Sequence, residues 1–147
     1  MRRPILPLRR RLWADRGQIT AFVVPLMVTL MAMAGLALDG GLALAARVRA
    51  LGEAQEAARA GAQAIDLAVY RADGTLRLDP AQARRLAVTY LTGAGTQGMV
   101  SATEEEVTVT VTAVQDTQLL HLVGVDTLTV TASGAAQPQP GITGPQP

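Results

Sequence analysis

The 147-residue chain contains no cysteine and no lysine, and only one histidine. Without cysteine there is neither a disulfide framework nor a thiolate metal site, so stability has to come from packing. His121 alone falls short of the ligand set a zinc site or a catalytic triad needs, and a half-buried place on a short helix is expected for it. Serine is also scarce: Ser101 and Ser133 are the two present. Nowhere do a nucleophile, a base and an orienting group occur together, so an enzyme is not expected, nor are a cofactor, a metal or a small-molecule substrate. The triplet Glu104-Glu105-Glu106 has no further carboxylates at calcium-loop spacing and reads as a solvated turn. Gly40-Gly41 lacks the context of a phosphate loop and reads as a flexible or close-packing point.

What is present is apolar length. Ile19 to Leu38 is a run of twenty residues without a charge. At about 1.5 Å of rise per residue it matches the roughly 30 Å hydrocarbon core of a bilayer. A single-pass anchor over residues 19–38 is therefore expected, with Ile19, Phe22, Val23, Val24, Leu26, Met27, Leu30, Met31, Leu36 and Leu38 meeting the lipid bilayer. Pro25 removes a backbone hydrogen bond inside this helix and is expected to kink it. The competing reading is a secretory signal peptide with an apolar core from Ile19 to Met31 and cleavage after Ala34. Against it, the apolar run continues through Leu36 and Leu38.

Charge sets an expected orientation. Residues 1–18 hold six arginines against Asp15, whereas beyond Leu38 seven arginines face eleven acids. Basic residues remain on the cytoplasmic side, which places the N-terminus inside and residues 39–147 outside the cell membrane. The arginine-rich segment is a topology signal rather than a nucleic-acid surface, since the remainder is acidic and no nucleic-acid partner is expected. Asp39 has two readings: a contact for a positive group on a partner, or the mark of the interface where the helix leaves lipid.

Beyond the anchor about 110 residues remain, enough for one small domain. From Asp39 the helical pattern continues. Leu44, Val48, Leu51, Ala54, Ala58, Ala62, Ile65 and Val69 recur at steps of three and four and draw one apolar stripe. Arg47, Arg49, Glu53, Glu56, Arg59 and Asp66 occupy the opposite side, with Glu56 and Arg59 at pairing distance. The alanines bury little area but allow close helix approach, so Leu44, Val48, Leu51, Ala54, Ala58, Ala62 and Ile65 are expected to pack on partner subunits. The helix is expected to run from about Gln18 to Tyr70, about 80 Å.

Ala72 to Thr75 reads as a turn, and Leu76 to Leu78 as a short extended piece. Asp79 and Pro80 form an N-cap and first-turn proline that open a second helix ending at Gly93. Met99 to Thr103 is a candidate strand, Val107 to Thr112 alternates valine with threonine, and Thr127 to Ala132 alternates again. A short helix is expected between Asp116 and Val123. The fold class is α+β: a transmembrane helix continuing into a long helix, then one helix packed on a three- or four-stranded antiparallel sheet. The expected segments are a basic cytoplasmic stretch (1–18), the transmembrane helix (19–38), a helical extension (39–71), an exported domain (72–136) and a disordered Pro/Gly-rich tail (137–147).

Asp15-Arg16-Gly17-Gln18, the run ending Gly35-Leu36-Ala37-Leu38-Asp39-Gly40-Gly41, and Glu53-Ala54-Gln55-Glu56-Ala57-Ala58-Arg59-Ala60-Gly61-Ala62 together resemble the N-terminal part of TadE/TadG-like proteins, and the alternating strands with Gln118 to Gly124 between them resemble the exported domain of the short actinobacterial type. The resemblance is strongest over about residues 15–66. It implies a minor pilin or envelope component of the tight-adherence (Tad, or Flp) pilus system, with other pilus-assembly subunits as partners. The chain departs from that group in two places. Cleavage after Gly17 would put Phe22 where processed pseudopilins carry glutamate, and neither serine lies in the Asp-x-Ser-x-Ser metal motif of the long members. The reading from a different class is a signal-anchored or secreted extracytoplasmic binding module unrelated to pili.

Overall fold

The computed structural model describes the backbone of residues 15–139 and the side chains of residues 20–139. The arginine-rich segment up to Ala14, the side chain of Ile19 and the expected disordered tail from Pro140 lie outside the described residues. The fold is α+β. A long helix α1 (Asp15–Gly61) is followed by a short helix α2 (Leu67–Asp73), helix α3 (Pro80–Gly93), strands β1 (Gly98–Ala102) and β2 (Val107–Asp116), a 3-10 turn (Leu120–Val123) and strand β3 (Thr127–Ala136). The strands form one antiparallel sheet in the order β1-β2-β3.

Alternation along β2 builds the core. Val107, Val109 and Val111 are buried, while Thr108, Thr110 and Thr112 turn to the other face. There Thr110 and Ser133 share a hydrogen bond of 2.9 Å across the strand pair. The inward valines meet Ala54, Ala57 and Ala58 of α1 and Ala83, Ala87 and Leu91 of α3 in one cluster. Alanine-rich helix faces let the helices lie close on the sheet, where valine supplies the area that alanine lacks.

The expected helix to Tyr70 breaks after Gly61, and the cause is tertiary. A Cβ on Gly61 would stand 2.9 Å from the Ala83 carbonyl oxygen and 3.0 Å from Val107 Cγ1, so α3 and β2 close over the last turn of α1. The chain then reverses. Ile65 forms an antiparallel bridge with Leu78, the Asp66 N–H donates to the Arg77 carbonyl at 2.8 Å, and the Asp79 N–H donates to Ala64 at 2.8 Å. The Asp66 carboxylate accepts from the N–H groups of Ala68 and Val69 and so starts α2 as a separate helix. Gly74, at a φ of 74°, ends it in the left-handed region that glycine adopts without cost. Asp79 caps α3 in the same way, with Pro80 in its first turn. The short helix expected from Asp116 reduces to the 3-10 turn, because β2 extends to Asp116 and pairs there with Thr127.

Candidate functional site

The site is a surface rather than a pocket, and helix α1 carries it. From Thr20 to Leu38 every side chain is exposed; the single buried position is Gly35. Phe22, Val23, Val24, Leu26, Met27, Leu30, Met31, Leu36 and Leu38 are all exposed. A helix apolar on all sides, and covered by its own chain at Gly35 alone, presents the kind of surface a bilayer covers. It is also the one helix among the described residues long and apolar enough to cross a membrane. The Thr29 hydroxyl donates to the Pro25 carbonyl at 2.8 Å, so its polar group is satisfied within the helix itself.

Beyond Leu38 the expected stripe separates into two rows. Ala54 and Ala58, expected to face a partner, are fully buried against the chain's own sheet together with Ala50 and Ala57. The reason is size: β3 approaches so closely at Gly134 that a Cβ there would lie 2.7 Å from the Ala54 carbonyl carbon. Ala62 and Ile65 are half-buried at the chain reversal. Leu44 and Val48 fall on a separate row and remain 62% and 63% exposed, with Leu51 beside them at 38%. Arg59 and Glu56 form the expected ion pair at 2.9 Å on the exposed side, where such pairs contribute little.

Asp39 sits at the junction of the two halves. Its side chain is buried, and its carboxylate accepts three backbone hydrogen bonds from the β2–β3 loop: Gln118 N–H at 2.7 Å, Leu119 N–H at 2.9 Å and Leu120 N–H at 2.7 Å. Burial pushes its pKa up, but the three amides, with a smaller contribution from His121, outweigh burial and hold the carboxyl below its ordinary value. Asp39 is thus a cap for the 3-10 turn, a role that neither expectation for it included. A carboxylate at the edge of an apolar run, with no arginine nearby in sequence, was a signal that its partners lie elsewhere in the fold. His121, expected half-buried, is exposed on the same turn. Among the described residues no group of three or more His, Asp or Glu stands close enough to hold a metal ion.

Comparison with known proteins bears on this helix. Residues 17–64 match the family described as "Putative Flp pilus-assembly TadE/G-like". The TadE/G-like match spans the apolar half of α1, Asp39, and the alanine face, and ends at the chain reversal before α2. The sheet lies beyond it. No curated protein and no solved structure matches the chain.

Proposed function

We propose that the protein is a non-enzymatic, membrane-anchored, pilin-like component of a Tad/Flp-type pilus assembly system. The anchor spans the bilayer over residues 19–38, with the N-terminus cytoplasmic and the sheet domain outside. The observation that carries this reading is the uncovered apolar half of α1 within the segment that matches the TadE/G-like family. Lipid covers the helix up to Leu38. Above it, Leu44, Val48 and Leu51 form the row through which a second helix, from another pilus-assembly subunit, packs.

The test separates anchoring from assembly. The double variant Leu44→Arg with Val48→Arg changes exposed side chains, so the domain keeps its fold and the protein stays in the membrane through high-salt washing. Charge on an apolar helix contact leaves no room for a neighbour, and photo-crosslinks from position 51 to pilus-assembly subunits should disappear. Crosslinks that persist in the folded variant would remove this row from assembly. Recovery of the wild-type protein as a soluble form beginning at Gly35 would instead favour a released binding module.

A further inference from the structure

The β2–β3 loop carries apolar side chains that the fold leaves uncovered. Leu122 and Val123 are 74% and 76% exposed, and Leu119 and Val125 are 40% exposed. Such a cluster on a tight turn adds nothing to the core. Its position is fixed from the other side by α1: besides the three amides held by Asp39, Leu119 lies directly on Gly35, where a Cβ would meet Leu119 Cβ at 3.0 Å. Gly35 belongs to the uncharged run that ends at Leu38, and it stands about 6 Å along the helix on the membrane side of Asp39.

We propose that this loop is a second membrane contact, with Leu119, Leu122 and Val123 seated in the outer leaflet beside the anchor. The inference rests on the membrane reading of residues 19–38. The occupant is lipid because Leu119 lies on Gly35, inside the uncharged run, which sets the loop at the helix level where Leu36 and Leu38 are exposed. The loop also meets the condition for entering a leaflet, since its backbone donors are largely satisfied inside the protein. Gln118, Leu119 and Leu120 donate to Asp39. Leu122 donates to Leu119 at 3.2 Å, Gly124 to His121 at 3.1 Å and Val125 to Leu120 at 3.1 Å. The burial of Asp39 follows from the same arrangement: its charge is caged by amides at the level where water gives way to lipid.

The cysteine-free chain allows clean single-site labelling. The full-length protein carrying Leu122→Cys, Met31→Cys or Glu105→Cys is labelled with an environment-sensitive fluorophore and reconstituted into phosphatidylcholine–phosphatidylglycerol vesicles. The vesicles contain lipids with a nitroxide at shallow or deep positions on the acyl chain. The Leu122 label should be blue-shifted and lose fluorescence to the shallow nitroxide, and the Met31 label should lose it to the deep one. The Glu105 label, on the turn at the other end of β2, should lose none. Asp39→Ala should free the loop and reduce quenching at Leu122 without changing it at Met31. A Leu122 label untouched by lipid nitroxides while Met31 is quenched overturns the loop contact and leaves the anchor standing. A Leu122 label shielded from aqueous iodide yet unquenched by lipid also overturns it and assigns the surface to a second copy. An unquenched Met31 label removes the anchor, and the loop contact with it.

Discussion

Gly134 of β3 and Ala54 of α1 touch backbone to backbone: a Cβ on Gly134 would stand 2.7 Å from the Ala54 carbonyl carbon and 2.6 Å from the Gln55 nitrogen. Neither neighbour is the tip of a flexible side chain, so any added atom forces the helix off the sheet. Gly134→Val should cost about 3 kcal/mol, at the upper end of overpacking. For a domain of this size that corresponds to a fall in Tm of about 10 °C or more, read by circular dichroism in detergent. An unchanged Tm would show that α1 and β3 do not meet at this point.

Ala58→Arg, though it lies on the same helix as Val48, should behave in the opposite way to Val48→Arg. Ala58 is fully buried beneath the sheet, and a charge there without a partner costs several kcal/mol. Ala58→Arg should unfold the domain, seen as lost near-ultraviolet dichroism and rapid proteolysis, while membrane insertion survives. Val48→Arg should leave both signals unchanged. Equal behaviour of the two variants would contradict the separation of the helix into two rows.

The Asp39 cage gives the loop a defined response to acid. Because the folded carboxyl titrates below its unfolded value near 3.8, its contribution is complete above that value and is lost as the pH falls through the folded one. Hydrogen-exchange protection of the Gln118, Leu119 and Leu120 amides should therefore hold from neutral pH down to about 4 and decline below it. In Asp39→Asn the protection should be weaker throughout and lack the acid step. A wild-type loop whose protection is already lost well above pH 4 would overturn the role given to Asp39.

Asp79→Ala removes the acceptor for the Ala81 and Gln82 N–H groups at the start of α3. The expected loss is about 1 kcal/mol, with Asp79→Ser recovering most of it. Chemical denaturation of the two variants against the wild type checks the cap, and equal losses for Ala and Ser would refute it.

Elements governed by local rules were legible in the sequence. The Asp79-Pro80 start, the valine–threonine alternation of β2 and the uncharged helical run of α1 each depend on neighbours within a few residues. The alanine and leucine positions of α1 were not separable by spacing, because both fit steps of three and four. Side-chain size is what divides them: alanines face the close sheet, whereas Leu44 and Val48 stand outside it. The end of α1 was hidden in a stripe that runs on to Val69, although Gly61 and the Asp66 cap were local marks of the break. The Asp39 cage joins residues about 80 positions apart, and nothing in the local pattern around Asp39 names its partners.

The rest of the chain grips α1 twice, at Asp39 through the loop and at Ala54 through Gly134, about 22 Å apart along its axis. A rod clamped at two separated points has no pivot. Gly40 and Gly41, which would be the soft spot of a free helix, fall between the clamps and are splinted by them. Traction on the sheet is therefore passed to the apolar half of α1 through two separated grips instead of through a hinge at the glycine pair.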